Sequence, residues 1–444
     1  MASASATIPI GYKQTEVGVI PEDWVVFSLG DFINYTKGFA FRSKDYQEYG
    51  TRILQVSDTD ARGINDKNAT YIDSTKAEKY SKWALRFGDI VVSTVGSKPP
   101  MYNSIVAKST FIPEKYVGAL LNQNAVILRT KNGSISEQII LHNHFQTKRY
   151  SNHIETIFRG NANQASITLV ELFEFMIPFP TNKIESERIG EIIDDTDSQI
   201  QALESLISKK RNIKQATMQE LLTGKTRLPG FSGEWDAKSL GQIGDISGAG
   251  VDKKIIEGET PVRLVNYLDV YNRSFIYSDE LDHHVTAPPS KAIKCSVRKG
   301  DVFFTPTSEV RDDIAVSAIA MENIPDGTYS YHVVRLRIRD DWDLNYRAYA
   351  FQTKAFLDQA AVLSDGSGTR YVISLPNFRK LKVLVPSKRE QQAIGQILSD
   401  MDAEIAALEQ RLEKTKAIKQ GMMQQLLTGR IRLVDPSTPV EASA

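Results

Sequence analysis

The 444-residue sequence is poor in cysteine and has no excess of charge of either sign. A single cysteine, Cys295, excludes a disulfide within the chain, which suits a reducing cytosol. Lys plus Arg and Asp plus Glu both total 54, so the formal net charge is zero. The strongly basic composition of many nucleic-acid-binding proteins is therefore absent, and any basic surface must consist of local patches.

Long apolar runs are also missing from the sequence. No run approaches the roughly 18 residues that a membrane-spanning helix needs. Residues 1–10 lack the charged and apolar regions of a signal peptide. We therefore expect a cytoplasmic protein with no membrane partner. Residues 1–11 and 434–444 are rich in small residues and proline, and we predict that both are disordered.

One long segment, by contrast, occurs twice. Residues 189–228 align without a gap with residues 394–433, at an offset of 394 − 189 = 205, and about half of the positions are identical. A shorter match lies upstream, where Phe-Gln-Thr-Lys occurs at 145–148 and again at 351–354. Matches of this kind along most of the chain indicate a tandem duplication.

The two copies are predicted at about 12–228 and 229–433. Their C-terminal segments stayed close copies, whereas the parts in front share only framework positions. We interpret this as two constant arms that carry two differing heads. The alternative is that the heads merely drifted at tolerant surface loops.

Each head has the pattern of a mixed α/β domain with many strands. Runs rich in β-branched and aromatic residues predict strands at 52–57, 89–94, 125–129, 262–267, 301–305 and 332–339. Helical stretches are predicted near 136–150 and 344–362.

The repeated segments are predicted to be long helices that begin at a capping box. Asn182 precedes Glu185 by three residues, and Ser387 precedes Glu390 in the same way. In such a box the first side chain accepts from a backbone N–H at the helix start, and the glutamate reaches back to the cap.

The same helices end at Gly224 and Gly429, where a left-handed residue is favoured, after about 38 residues or roughly 57 Å. A coiled-coil-like seam of apolar residues is formed by Ile193, Ile200, Leu203, Ile207, Leu398, Ile405, Leu408 and Leu412. So narrow a seam needs a partner. We expect the helices to pair antiparallel, which would relate the halves by a pseudo-twofold axis. The alternative is that each helix packs on its own head.

These motifs resemble those of the specificity subunits of type I DNA restriction–modification systems. The resemblance rests on the P-x8-I-G and P-x7-I-G segments that begin at Pro180 and Pro386. It also rests on the I-K-Q-x3-Q-x-L-L-T-G-x-x-R-L segments at 213–228 and 418–433. It covers about residues 12–433, and the two-copy architecture makes it specific.

The resemblance implies α/β (α+β) heads: two globular target-recognition domains joined by two long helices in an antiparallel coiled coil, with a pseudo-twofold internal repeat. The expected divisions are a disordered N-terminus (1–11), target-recognition domain 1 (12–165), conserved region 1 (166–230, helix at about 183–223), target-recognition domain 2 (231–372), conserved region 2 (373–433, helix at about 388–428) and a disordered tail (434–444).

The resemblance further implies a non-catalytic subunit in which each head reads one half of a bipartite DNA site. The coiled coil would set the spacing and dock the modification subunits. The implied partners are double-stranded DNA, two modification (methyltransferase) subunits and restriction/translocase subunits. No cofactor is expected on this chain, since S-adenosylmethionine would bind the modification subunits and ATP and Mg the restriction subunits. Two alternatives stay open: a scaffold of the same shape that does not read DNA, and a DNA adenine methyltransferase.

Three loops in each head are candidates for DNA contact: the loop after the opening strand, the polar end of the next strand, and the loop after a Gly-Asp strand. Phosphate binding needs Lys and Arg, and base reading favours Arg, Gln and Asn. The first head offers Lys37, Arg42, Lys44, Gln55, Ser57, Lys98, Tyr102 and Asn103. The second head offers Lys253, Lys254, Asn266, Tyr267, Thr307, Ser308 and Arg311. Ordinary solvated loops are the alternative for any single residue.

Arg335, Arg337 and Arg339 alternate along a predicted strand and therefore share one face. They form either a phosphate-binding ladder or ion pairs with the nearby Asp340, Asp341 and Asp343.

No catalytic or metal site is expected. Residues 98–102 depart from the D/N-P-P-Y/F signature of methyltransferases, because Lys98 cannot accept as Asp or Asn would. The histidine pairs at 142 and 144 and at 283 and 284 lack convergent metal ligands.

Overall fold

The structure is a computed structural model, and it describes residues 8–60, 63–97, 106–161, 164–368 and 370–435. The chain divides into two units, which we call the first unit (residues 1–202 and 412–444) and the second unit (203–411). Each unit contains one head, the first part of one long helix and the last part of the other.

The first half of the chain carries many short strands and one long helix. Its strands are β1 Tyr12–Thr15, β2 Gly18–Pro21, β3 Trp24–Ser28, β4 Ile33–Lys37, β5 Thr51–Leu54, β6 Thr59–Asp60, β7 Gly63–Ile64, β8 Thr70–Ile72, β9 Ile90–Ser93, β10 Val95–Gly96, β11 Ser109–Phe111, β12 Leu120–Leu121, β13 Ala125–Thr130, β14 Arg159–Asn161, β15 Gln164–Ser166 and β16 Met176–Pro180. Its helices are α1 Leu29–Phe32, α2 Ser74–Ala77, α3 Ile135–His144, α4 Lys148–Ile157, α5 Leu169–Phe173 and α6 Lys183–Leu221.

The second half repeats most of this order. Its strands are β17 Asp236–Ser239, β18 Gly244–Ser247, β19 Thr260–Val265, β20 Phe275–Ile276, β21 His284–Ala287, β22 Asp301–Phe304, β23 Thr307–Ser308, β24 Ser317–Ala320, β25 Gly327–Tyr329, β26 Val334–Ile338, β27 Asp365–Ser367, β28 Arg370–Val372 and β29 Lys382–Val385. Its helices are α7 Leu240–Ile243, α8 Tyr267–Tyr271, α9 Pro289–Lys294, α10 Leu344–Tyr349, α11 Lys354–Leu363, α12 Leu375–Phe378 and α13 Lys388–Leu426.

The main sheets of the two heads correspond. The sheet β11-β9-β13-β4 of the first head matches β24-β22-β26-β18 of the second, which is extended by β20. The sheet β12-β5-β8 matches β25-β19-β21, and β10-β15-β14 matches β23-β28-β27. The duplication read from the sequence therefore extends to strand pairing.

The central strands carry uninterrupted apolar runs because both of their faces are buried. Ile90 and Val92 of β9 pack in the main core of the first unit, while Val91 between them packs in a second core with Ile127. This alternation follows from the two-residue period of a strand.

Each helical stretch predicted at 136–150 and 344–362 is two helices rather than one. The Thr147 hydroxyl accepts from the Tyr150 backbone N–H and begins α4. The Thr353 hydroxyl accepts from the Phe356 N–H and begins α11 in the same way. A threonine cap starts a new helix direction, and this local signal divides the predicted stretch.

Each long helix contains 39 residues, which is about 58 Å. Asn182 Oδ1 accepts from the N–H groups of Ile184 and Glu185 at 2.9 and 3.3 Å, so the first member of the predicted capping box is in place. Gly224 and Gly429 have φ of +68° and +65°, the left-handed conformation predicted for the helix stops.

The glutamate of each predicted capping box has a different role from the one predicted. In the first unit Glu185 is fully buried and accepts from Trp24 Nε1 at 3.1 Å and from Arg432 Nε at 2.7 Å. Hydrogen bonds to Glu185 and then to Asp23 raise the pKa of Arg432. Because Arg432 follows the end of α13 and Glu185 lies at the start of α6, the two helices run antiparallel in this unit.

The second unit repeats the cluster with equivalent residues. Glu390 accepts from Trp235 Nε1 at 3.0 Å and from Arg227 Nε at 2.6 Å. The end of α6 therefore meets the start of α13, and the helix parts within this unit also run antiparallel. We call each Trp–Glu–Arg set a helix clamp.

The predicted seam is largely buried. The buried members are Ile193, Leu203, Ile207, Leu398, Ile405 and Leu412, and the half-buried members are Ile200 and Leu408. Ion pairs flank it within each unit: Lys419 binds Asp197 in the first and Lys214 binds Asp402 in the second. Pairing of the helices is therefore specified by charge as well as by apolar contact.

Candidate nucleic-acid interface

A turn at residues 122–125 brings the candidate loops of the first head together. The Asn122 N–H donates to the Leu54 carbonyl at 2.9 Å, and the Gly38 N–H donates to the Ala125 carbonyl at 2.9 Å. The Thr94 N–H donates to the Asn124 carbonyl at 2.8 Å. The ends of β4, β5 and β9 consequently meet at one edge of the head, and we call this turn and its loops the first-head surface.

The second head has an equivalent turn at residues 329–331. The Val251 N–H donates to the Tyr329 carbonyl at 2.8 Å, and the Ser330 N–H donates to the Val265 carbonyl at 2.9 Å. The loop at 305–313 joins them, because the Tyr267 hydroxyl donates to the Thr307 carbonyl at 3.0 Å. We call this set the second-head surface.

In each head, a glycine allows one loop to lie in close contact with the backbone of the turn. A Cβ on Gly38 would lie 1.8 Å from the Asn122 carbonyl oxygen. A Cβ on Gly250 would lie 2.3 Å from the Ser330 carbonyl carbon. Such distances leave no room for a side chain, so the close approach of these backbones requires glycine at both positions.

The predicted residues on the two surfaces differ in exposure. The exposed members are Lys37, Arg42, Lys44, Ser57, Lys253, Lys254 and Arg311. The half-buried members are Gln55, Asn266, Tyr267, Thr307 and Ser308. The cations are thus open to a ligand, whereas the amides and hydroxyls are held partly inside.

Gln55 and Asn266 occupy equivalent positions, each at the start of a short helical turn. The backbone N–H of Gln55 donates to Asp58 Oδ2 at 3.0 Å, and that of Asn266 donates to Asp269 Oδ2 at 2.8 Å. Burial raises the pKa of Asp58, although its hydrogen bond from Gln55 and the charge of Arg52 oppose this shift. The Gln55 side chain donates to Thr70 Oγ1 at 3.2 Å. The Gln55 amide is therefore positioned before any ligand arrives.

Arg311 lies on the second-head surface but is already engaged. Its Nε donates to the Ala361 carbonyl at 3.0 Å, and its guanidinium lies 5.8 Å from the centre of the Tyr371 ring. These contacts hold Arg311 against its own head, and its contact with DNA stays a prediction. Lys98, Tyr102 and Asn103 lie outside the described residues, as does the methyltransferase-like fragment at 98–102.

The phosphate-ladder interpretation of the alternating arginines is wrong for two of the three. Arg337 forms a two-bonded ion pair with Asp301, at 2.7 and 2.6 Å. Arg335 is 7% exposed and donates to the Ser296 carbonyl. Arg339 alone is exposed, 3.8 Å from Asp245. The predicted ion pairs with Asp340, Asp341 and Asp343 are wrong too, since Arg337 pairs with Asp301 and Arg339 with Asp245.

The first head contains the same buried pair in Arg129 and Asp89, with bonds of 2.6 and 2.7 Å. Since Asp89 and Asp301 are the aspartates of the repeated Gly-Asp segments, this motif serves the core rather than either head surface.

Sequence reasoning missed a pair of rings on the second-head turn. Tyr331 is 48% exposed, and its ring centre lies 3.9 Å from that of His332. Burial first, and then the charges of Lys253 and Arg370, lower the pKa of His332. Lys253 and Arg370 therefore lie near this ring.

Neither a metal site nor a membrane span is found within the part of the chain that the structure describes. No group of three or more His, Cys, Asp or Glu there could hold a metal ion. No helix in the described ranges is long and apolar enough to cross a membrane.

Two equivalent heads, each attached to paired helices, define a two-headed recognition protein. The family described as type I restriction modification DNA specificity domain matches residues 21–211 and 232–419. The chain belongs to this family and carries two copies of its domain. Members of the family are specificity subunits and are not themselves catalytic.

Relatives agree with this assignment. The putative type I restriction enzyme MjaX specificity subunit of Methanocaldococcus jannaschii is 24% identical over 443 residues, which cover 95% of this chain and 97% of the relative. The type I restriction enzyme MjaVIII specificity subunit of the same organism is 24% identical over 217 residues, 49% of each chain.

Solved structures show the same fold. The S subunit of a type I restriction–modification system from M. genitalium is 15% identical, with a TM-score of 0.57 over 91% of this chain and 96% of its own. A chain from a study of complex assembly and conformational transition in the type I R-M system is 16% identical, with a TM-score of 0.54 over 93% and 99% of the two chains.

Proposed function

We propose that each head binds duplex DNA through its surface and reads one half of a bipartite site. One observation carries the proposal: in both heads, three loops meet at an equivalent turn, although their sequences differ. A duplicated framework that holds different side chains in one place is what two readers of two different half-sites require.

The chemistry of the surfaces supports this role. The exposed Lys37, Lys44, Lys253 and Lys254 suit DNA phosphates, which supply most of the affinity. Gln55 in the first head and Asn266 in the second offer amide groups. An amide can form two hydrogen bonds with adenine in the major groove. Phosphate contacts would position each head, and the amides would select the base.

We further propose that the long helices set the spacing of the half-sites and dock two modification subunits. A helix of about 58 Å is as long as roughly 17 base pairs of B-DNA, so it can bridge more than one turn of the duplex. In this proposal S-adenosylmethionine binds the modification subunits, ATP and Mg act in the restriction subunits, and this chain holds no cofactor. Membership of a non-catalytic family argues against the methyltransferase alternative.

A charge-reversal experiment tests the DNA surface. We expect Lys253→Glu with Lys254→Glu to weaken binding of a bipartite DNA by the chain assembled with modification subunits. The slope of log affinity against log salt should become shallower by about 2, since each lost phosphate contact removes close to one unit. Fluorescence anisotropy over a salt series measures both quantities.

Lys299 provides a matched control. It is exposed and precedes β22, whereas the loop at 305–313 follows the other end of that strand. Lys299→Glu changes the net charge in the same direction but should leave the salt slope unchanged. A scaffold that does not read DNA would show equal, small effects for all of these variants, and that outcome would contradict the proposal.

A further inference from the structure

The first unit contains a cavity that the function above does not use. Its volume is about 660 Å³, and it lies between the start of α4 and the last part of α13. Met423 and Leu427 contribute apolar lining. Cavities of about 300–1,000 Å³ are typical of small-molecule sites in proteins. The size alone therefore admits a ligand such as a nucleotide.

His144 lines this cavity and is 2% exposed. Its ring bonds the Pro178 carbonyl, while Nε2 has no hydrogen-bond partner among the described residues. Burial, followed by the charge of Arg149, lowers the pKa of His144 to about 3, so the ring is neutral near pH 7. Since a carbonyl only accepts, the ring proton lies on the nitrogen that faces Pro178, and Nε2 is left as an acceptor. A ligand N–H would satisfy it.

The start of α4 supplies cations to the same cavity. Lys148 and Arg149 lie in its first turn, which contains no acidic residue. A helix N-terminus favours anions, so two cations there are unfavourable unless an anion joins them. Arg149 donates to the Met176 carbonyl at 2.6 Å, and burial lowers its pKa to about 10. A guanidinium has five N–H groups, so further donors remain for a ligand.

Arg430 adds a third cation to the lining, and like Lys148 it is exposed. Lys419 also contributes, although it is paired with Asp197. No aspartate or glutamate of the described residues lines the cavity. An anionic ligand would consequently meet positive charge and no opposing carboxylate.

The second half shows that the fold does not require these residues. At the offset of 206 that aligns 145–148 with 351–354, His144 corresponds to Ala350 and Arg149 to Ala355. Lys148 corresponds to Lys354, which is paired with Asp358 at 2.7 Å. The residue equivalent to Asp358 is the uncharged Asn152.

Each of these differences makes the first unit more basic or gives it a buried acceptor. A structural role common to both copies would have kept them alike, so the differences point to a ligand of the first unit alone.

We propose that this cavity binds a free nucleoside monophosphate, with Lys148, Arg149 and Arg430 binding the phosphate and His144 Nε2 accepting from an amino group of the base. This assignment is independent of DNA recognition by the head surfaces.

Isothermal titration calorimetry on the full chain tests the proposal, with AMP as the probe. We expect AMP to bind at least tenfold more tightly than adenosine, which lacks the phosphate, or inorganic phosphate, which lacks the base. Arg149→Ala and His144→Ala, which install the residues of the second half, should each weaken AMP binding about tenfold, as expected for loss of a buried polar partner.

Surface variants keep the test independent of folding. Asn152→Asp places a carboxylate four residues from the exposed Lys148, as in the second half, and should weaken AMP binding. Lys354→Ala, its counterpart in the second unit, should leave binding unchanged. Absence of binding by AMP, or equal binding by all variants, would overturn the proposal. Tighter binding of a 5′-phosphorylated DNA strand or of an acidic peptide would overturn the assignment to a free nucleotide.

Discussion

Removal of Arg432 tests the helix clamp of the first unit. Arg432→Met keeps much of the side-chain length but leaves the Glu185 carboxylate without its cation. Glu185 has a side-chain exposure of 0% and Arg432 of 13%, so the pair is buried. Breaking a buried ion pair by removal of one partner costs about 3–5 kcal/mol, because a charge is left uncompensated. The additional pair with Asp23, which is 40% exposed, adds little.

The expected loss of stability corresponds to a lower melting temperature. For units of 150–250 residues, 1 kcal/mol shifts the midpoint by about 2–4 °C, so the transition of the first unit should fall by roughly 6–20 °C. Differential scanning calorimetry measures this. Adding Glu185→Gln to Arg432→Met should restore most of the lost stability, since the amide is neutral and its oxygen still accepts from Trp24 Nε1.

The equivalent variant Arg227→Met supplies the matched comparison. Arg227 has a side-chain exposure of 25%, so its loss should lower the transition of the second unit by less than Arg432→Met lowers that of the first. If Arg432→Met shifted the midpoint by less than about 2 °C, the clamp would not hold the helix ends as argued.

Three further predictions concern the seam, the glycines and a buried histidine. Ile193→Ala should cost about 2–5 kcal/mol in urea unfolding, and Ile200→Ala, at a half-buried position, clearly less. Gly38→Ala should abolish DNA binding by the first head, whereas Gly421→Ala, with open space around its Cβ, should add about 0.5–1 kcal/mol of stability. Burial lowers the pKa of His144 from 6.5 to about 3. Its contribution to the free energy of unfolding is therefore complete above pH 6.5. That contribution is lost as the pH falls toward 3, by about 1.4 kcal/mol per pH unit. His144→Leu should reduce the slope of urea unfolding against pH, while His142, whose pKa burial lowers to about 4, keeps its own part of it.

The long helices could be read from the sequence because their signals are local and repeated. The glycine stops and the seam follow from spacing alone. Beyond the seam the 3–4 spacing is broken in both helices, where the next large apolar residues, Ile213 and Ile418, are 42% and 54% exposed. A helix whose apolar stripe ends is left with exposed positions, as the pattern requires.

The clamps and the surfaces could not be read in this way, because their partners lie far apart in sequence. Glu185 and Arg432 are separated by 247 positions, and no local pattern relates them. The capping-box pattern instead predicted that Glu185 bonds back to Asn182, only three residues away. The turn at 122–125 that gathers the loops was missed for the same reason, since its bonds run to residues at the ends of three other strands.

The central claim is that each head reads its own half of a bipartite DNA site. Its most direct test is to replace residues 12–165 by the head of another specificity subunit, assemble the complex with its modification subunits, and map the methylated adenines in exposed DNA. We predict a split motif in which only one half changes while the other half and the spacer stay the same. A motif whose two halves changed together would contradict the account.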